Sequence, residues 1–251
     1  MESPSIFQIA RDSVFEYVIF TAVFLTLGAV TETTINGFPD ADKRSRIWSQ
    51  TCHSLPALFT GVLGTNLWRA YLDPYLPYWN YYETHDYTVW LMLQNIAIFL
   101  FVYDTCFYWS HRILHIQKPI NLYKLFHKAH HYPVISLWAS TATHPLEILL
   151  NVFGLHITKL FTPIPIAMHY GLLLFTHFSG VVAHDPTLDI YGHVIHHTKH
   201  NCNYSGYLTF WDWLMGTRDC DINRLLGKGA PKTQMSEQNS LVREKTEAKN
   251  K

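Results

Sequence analysis

Three imidazoles fall within the five residues HKAHH, at His127, His130 and His131, and the same HxxHH spacing returns in HVIHH, with His193, His196 and His197. A further pair, His111 and His115, sits at i and i+4 in HRILH. Residues three and four apart share a helix face, so each group is able to present its rings together. The chain has sixteen histidines in 251 residues, and fourteen of them lie between His111 and His200. Histidine is the commonest metal ligand, and so many rings charged together would repel one another, which makes a metal the natural occupant. Eight imidazoles exceed the four ligands of one tetrahedral ion and suit two ions. Imidazole accepts zinc, copper, iron or nickel. Cys52, Cys106, Cys202 and Cys220 form no CxxC pair, so neither a disulfide framework nor a zinc finger is indicated. The carboxylate-rich Glu-x-x-His pattern of soluble di-iron bundles is also absent. Asp104, Glu147, Asp185 and Asp212 are candidates to orient the imidazoles, with a helix cap or surface ion pair as the competing reading of each. The isolated His53, His85, His156 and His169 read as packed or surface residues; the last two lie in apolar stretches, where they suit polar contacts between helices.

Whatever holds these rings must be built from an unusually apolar chain. Charged residues make up 15%, against about 25% in soluble domains. Net charge is zero with histidine neutral, which gives no support to nucleic acid as a partner. Apolar stretches run over Val14–Val30, about 55–72, and Tyr87–Tyr103, the last continuing helically through DTCFYWSHRILH to His115. Two more, 145–161 and 164–182, are separated by TPIP and read as a membrane hairpin. No basic segment precedes Val14–Val30 and no small-x-small site closes it, so it reads as a membrane helix and not a signal peptide. The aromatic segment 71–87 suits a membrane–water interface. A hairpin that enters and returns places HKAHH and HVIHH on one membrane face, and Arg112, Lys118, Lys124, Lys128, Lys199 and Arg218 assign that face to the cytosol. The expected fold is all-α: a multi-span membrane helical bundle with a cytosolic helical cap carrying a histidine-rich di-metal site. The competing fold is a soluble protein with several buried helices. Residues 1–50 are expected to form an N-terminal membrane helix and polar loop, 51–226 a catalytic domain, and 227–251 a disordered polar tail.

The order HxxxH, HxxHH, HxxHH around a hydrophobic hairpin resembles the fatty acid hydroxylase / sterol desaturase superfamily. DTCFYWSHRILH, LYKLFHKAHH at 122–131, THPLE at 143–147 and HHTKHNCNYSGYLTFWDWLMGT at 196–217 are similar to successive segments of that family, over about residues 100 to 218. The resemblance implies a non-haem di-iron oxygenase of the endoplasmic reticulum membrane acting on lipids. It implies that His111, His115, His127, His130, His131, His193, His196 and His197 are metal ligands and carry catalysis, with His177 a further metal ligand. The family's usual companion to His177, one turn earlier, is Leu173 here. The roles of His144, His184 and His200 stay open.

The implied cofactors are two iron ions, with O2 as co-substrate. The implied partners are the lipid bilayer, a lipid substrate, and cytochrome b5 with its NADH-dependent reductase as electron donors. The first reading is hydroxylation of an unactivated C–H bond of a sterol or terpenoid, because NCNYSGYLTFWDWLMGT most resembles the sterol-oxidising branch. Desaturation of a sterol, acyl or sphingoid lipid at the same site is the alternative. A histidine-rich membrane metal transporter is a more distant one, disfavoured because transport sites lie near the bilayer midplane. Substrate is expected to enter between helices 87–109 and 145–183, with Phe107, Trp109, Trp138 and Phe175 as candidate lining residues.

Overall fold

A computed structural model describes residues 4–131 and 135–219; the tail expected over 227–251 lies outside the described residues. Among the described residues seven α-helices carry the fold: α1 (Ile6–Thr31), α2 (Ala41–Tyr71), α3 (Val89–Leu114), α4 (Pro145–Ile157), α5 (Ile166–Ala183), α6 (His193–Lys199) and α7 (Phe210–Leu214). No strand occurs among the described residues, in keeping with the all-α expectation.

Local sequence explains where the helices begin. Ser5 and Gln8 form a reciprocal capping box on α1. Asp40 accepts from the Lys43 amide at the start of α2, and Thr88 from the Leu91 amide at the start of α3. His144 accepts from the Leu146 amide just ahead of Pro145, which opens α4. Each satisfies an amide that the first helical turn would leave bare.

Among the described residues, three helices are long and apolar enough to cross a bilayer: Ile6–Asn36, Val89–Leu114 and Ile166–Ala183. Their outer faces expose Phe15, Val18, Trp90, Leu93 and Phe178, an extent of apolar surface that suits lipid contact. α2 begins at Ala41, well before the apolar stretch at residue 55, and runs unbroken through residues 50 and 51. α4 has 13 residues, about 20 Å at 1.5 Å per residue against a hydrocarbon core of about 30 Å. The first arm of the hairpin is therefore shorter than the apolar lettering of 145–161 implies. Thr158–Leu160 tighten into a 3-10 turn, and Asn95 of α3 bonds the Pro163 carbonyl and the Thr162 hydroxyl, which holds the connection inside the bundle.

The five long helices alternate in direction, so α3 and α5 end, and α4 begins, at one common end. That end is tied to the α1–α2 junction. The Trp138 indole donates to Glu32 (3.3 Å), Asn36 to Asp185 (2.9 Å) and Ser136 to Gln50 (2.6 Å), and Lys43 pairs with Glu32. The opposite end exposes Tyr75, Trp79, Tyr87 and Trp90, the arrangement of an interfacial aromatic belt. Inside the bundle Glu16 of α1 accepts from Asn66 and Arg69 of α2 and Tyr170 of α5.

Close packing at the histidine end depends on a small residue. The Trp138 ring lies on Gly28, where an added Cβ would meet it at 2.7 Å. Gly28→Ala is expected to lower the thermal unfolding midpoint in detergent, since overpacking costs roughly 1–3 kcal/mol. Gly171→Ala, where a Cβ meets nothing within 4 Å, is the matched control and should show no such loss.

Candidate metal centre

The histidines converge in two groups. His111, His115, His127, His131 and His196 form one; His130, His184, His193 and His197 form the other; within each group the ligand nitrogens lie within 4.8 Å of one another. All eight histidines of the three motifs are therefore brought together, joined by His184. The motif members are dealt out crosswise. In HKAHH the i and i+4 rings enter the first group and the i+3 ring the second; in HVIHH the i and i+4 rings enter the second and the i+3 ring the first. The groups abut, with the His131 and His197 ring centroids 4.3 Å apart.

Several elements supply these rings. The last turn of α3 carries His111, and His115 caps that helix. His127 closes a π-helical turn over Tyr123–His127, sealed by the Lys128 amide on the Tyr123 carbonyl at 2.7 Å. His130 and His131 follow in a turn. The regular helix expected through HKAHH is thus replaced by a wider turn, which local spacing does not reveal. HVIHH does lie on a helix, the short α6, which starts from Gly192 at φ 84°, a left-handed conformation that favours glycine. The Asp189 carboxylate fixes that start by accepting from the Tyr191, Gly192 and Val194 amides.

Four rings have their Nδ1 on an acceptor. His111 meets the Tyr204 carbonyl (2.9 Å), His127 the Glu147 carboxylate (2.8 Å), His196 the Cys202 carbonyl (2.7 Å) and His184 the Gly180 carbonyl (2.7 Å). Such partners hold the proton on Nδ1 and leave the Nε2 lone pair free for a metal. The Nε2 atoms then face one another. In the first group His127 lies 3.1 Å from His111 and 2.9 Å from His131, and His196 lies 3.2 Å from His131 and 3.1 Å from His115. In the second, His184 lies 3.2 Å from both His130 and His197, and His197 lies 3.1 Å from His193. Lone pairs so placed repel unless a cation stands between them. With nitrogens roughly 2.1 Å from an ion, neighbours sit ~3.4 Å apart in a tetrahedron and ~3.0 Å apart at right angles. The donor set therefore fits two cations.

Burial, followed by the neighbouring imidazoles, lowers the pKa of His115 to about 3, and burial lowers that of His184 to about 4. The same causes depress His130, His131, His193, His196 and His197. The unfolded chain, with histidines near 6.5, takes up protons before the folded one does. Stability is then greatest above about pH 6.5 and falls as the pH drops toward 4 and 3. Protons also compete with metal for the same nitrogens. Metal content after equilibrium dialysis should accordingly hold at neutral pH and drop as the pH falls toward 4, read by elemental analysis.

The remaining expected residues fall into clear places. Of the four carboxylates, Glu147 touches an imidazole; the other three hold backbone. Asp212 accepts from the Tyr204 and Ser205 amides (2.9 and 2.8 Å), and Asp104 from the Gly206 and Tyr207 amides (2.9 and 2.7 Å). Together they aim the Tyr204 carbonyl at His111. Asp185 accepts from the Thr187 and Leu188 amides. His144 caps α4. His200 lies with its ring 4.6 Å from that of His131 and its Nε2 on the His197 carbonyl. His177 lies outside both groups, edge-on to Phe24. His184 enters the second group from the end of α5, a place that its isolated position in AHDP does not announce.

A cavity of about 180 Å³ leads from the two groups into the bundle. His111, His130, His184 and His193 reach its upper end, and Phe20, Leu58, Val62, Phe107, Leu155 and Leu173 line its length. Of the four aromatics expected there, Phe107 lines the cavity. Trp138 is buried against Phe24 and Val181, Trp109 packs on Trp211 with centroids 5.6 Å apart, and Phe175 is largely exposed.

The sequence profile of the fatty acid hydroxylase family matches residues 96–217, which contain every histidine of both groups. The Delta(7)-sterol 5(6)-desaturase erg3B of Aspergillus fumigatus is 30% identical over 177 residues, 67% of this chain and 51% of that protein. The Delta(7)-sterol-C5(6)-desaturase of Nicotiana tabacum is 31% identical over 132 residues, 48% of each chain. Rat lathosterol oxidase is 29% identical over 138 residues, 50% of this chain and 45% of that protein. The chain spans about half the length of the curated relatives it matches. No solved structure matches it.

Proposed function

Because the chain belongs to the fatty acid hydroxylase / sterol desaturase superfamily, we propose that it is a membrane-bound, non-haem di-iron oxidoreductase that desaturates a sterol using O2. The observation that carries this reading is a largely apolar cavity ending on two abutting groups of inward-facing imidazoles. The five-histidine group would hold one ion and the four-histidine group the other. Zinc lacks redox chemistry, and iron suits both imidazole and O2. When bound, a di-iron group supplies activation of O2 for removing hydrogen from an unactivated C–H bond. The balance for desaturation is R–CH2–CH2–R′ + O2 + 2 e⁻ + 2 H⁺ → R–CH=CH–R′ + 2 H2O.

The chain's own residues bind, orient and exclude water. Glu147 and the Tyr204, Cys202 and Gly180 carbonyls hold ring protons on Nδ1, so Nε2 stays available at each turnover. Phe107, Leu155 and Leu173 keep the approach to the histidines apolar. Desaturation is read ahead of the hydroxylation expected from the sequence because the matched relatives are named as sterol desaturases. The family profile, named for fatty acid hydroxylases, keeps hydroxylation as the second reading; its balance is R–H + O2 + 2 e⁻ + 2 H⁺ → R–OH + H2O. The transporter reading loses support because the histidines sit at one end of the bundle.

The two electrons require a partner, for which cytochrome b5 and its NADH-dependent reductase are proposed. The proposed location is the endoplasmic reticulum membrane, with the histidine end in the cytosol. Lys43, Arg44 and Arg46 at the start of α2 add to the basic residues at that end. The test is expression in microsomes supplied with NADH and sterols. A sterol product lighter by two hydrogens supports desaturation, and one heavier by an oxygen supports hydroxylation. Unchanged sterol, acyl and sphingoid profiles with an iron-loaded protein would overturn the oxidoreductase reading.

A further inference from the structure

Four buried polar atoms on one wall of the cavity have no hydrogen-bond partner among the described residues: Ser140 Oγ, Thr141 Oγ1, Thr143 Oγ1 and His177 Nε2. Thr141 and Thr143 are only 7% and 8% exposed. Leaving one such atom bare costs roughly 1–3 kcal/mol, and native interiors rarely tolerate a cluster of them. Most of the cavity surface is apolar, and although Glu16, Thr65 and Asn151 also line it, Ser140, Thr141, Thr143 and His177 are the lining residues outside the two histidine groups that present buried, unpartnered polar atoms.

Its position relative to the metal centre is fixed by α5. A Cβ placed on Gly180 would lie 3.8 Å from the Ser140 Cβ, and the Gly180 carbonyl receives His184 Nδ1. The His184 ring thus folds back to the level of Gly180, so Ser140 stands beside the second histidine group, and His177, three residues before Gly180, lies roughly 5 Å further down α5. Among the described residues no lysine or arginine lines the cavity, which disfavours a phosphate or carboxylate headgroup. Three hydroxyls and a ring nitrogen suit a group that both donates and accepts.

We propose that Ser140, Thr141, Thr143 and His177 form a site that recognises a hydroxyl on the lipid substrate. The hydroxyl-bearing end then lies beside the metal centre, and the apolar remainder points down the cavity past Leu58 and Leu155. The carbon oxidised then lies on the hydroxyl-bearing side of the molecule and not at its far end. This rests on the cavity being the substrate site. It gives His177 a substrate contact in place of the metal-ligand role expected from the sequence.

The test uses the iron-loaded full chain in detergent and the equilibrium binding of lathosterol and its 3-deoxy analogue. The wild type should bind the deoxy compound at least about tenfold more weakly. The S140A/T141V/T143V variant, close to isosteric, should lose that preference while keeping the deoxy affinity and both ions. Thr141→Ser should retain the preference. His177→Gln should keep both ions and weaken the preference. No preference in the wild type, or one undiminished in the triple variant, overturns the site; an ion lost on His177→Gln overturns the assignment of His177. Should neither sterol bind, the sterol reading fails on its own, and hexadecanol against hexadecane decides the hydroxyl site. A preference for the alcohol that the triple variant loses supports it, and equal affinity overturns it.

Discussion

His130→Ala and His131→Ala, at adjacent positions, are expected each to leave about one ion per chain, but in different places. His130 belongs to the four-histidine group and His131 to the five-histidine group. Pairing the substitutions separates the two. His130→Ala with His197→Ala removes two rings from one group and should still leave about one ion. His130→Ala with His131→Ala removes one ring from each group and should leave close to none. Elemental analysis of purified protein reads the difference directly. Turnover should fall at least about a hundredfold in each single variant, because even the loss of a residue that only orients a ligand costs roughly 10–100-fold. Equal ion loss from both pairs would show that the rings are not divided as the geometry has them.

Glu147→Ala is the second large effect. The Glu147 carboxylate stands 2.8 Å from Nδ1 of a fully buried His127, whose Nε2 faces both His111 and His131. Removing the carboxylate frees the ring to rotate or change tautomer, and with it the centre of the five-histidine group. Metal affinity and turnover are each expected to fall roughly 10–100-fold. Glu147→Gln, which keeps an acceptor of similar shape, should recover part of the loss. Competition with a chelator measures the affinity, and the second group provides the internal reference, since its ion should be held as before.

The metal-binding content of the chain is legible in its sequence because i, i+3, i+4 spacing is a local property, visible wherever ring types repeat. Its division between two groups is not local. That division depends on the π-helical turn at Tyr123–His127 and on the left-handed start of α6 at Gly192, neither of which periodicity marks. His184 and His177 show the same limit. Both are single histidines on or beside α5, and two turns of helix decide that one joins a cluster while the other lines the cavity. The apolar spans α1, α3 and α5 are readable from composition. The beginning of α2 is hidden by its polar first turns, and the shortness of α4 by an apolar loop that Asn95 draws into the bundle. Asp104 and Asp212 stand among the candidate carboxylates, yet the backbone amides they bind could not be named without the fold.

The crosswise sharing of the two HxxHH motifs has a mechanical consequence. Each ion, on the proposed ligation, laces the segment before α4 to the segment after α5, and the two lacings run in opposite senses. Pulling either segment away would break bonds to both ions at once. Either ion alone should therefore pin the two segments to one another, and the second should raise the force needed to part them.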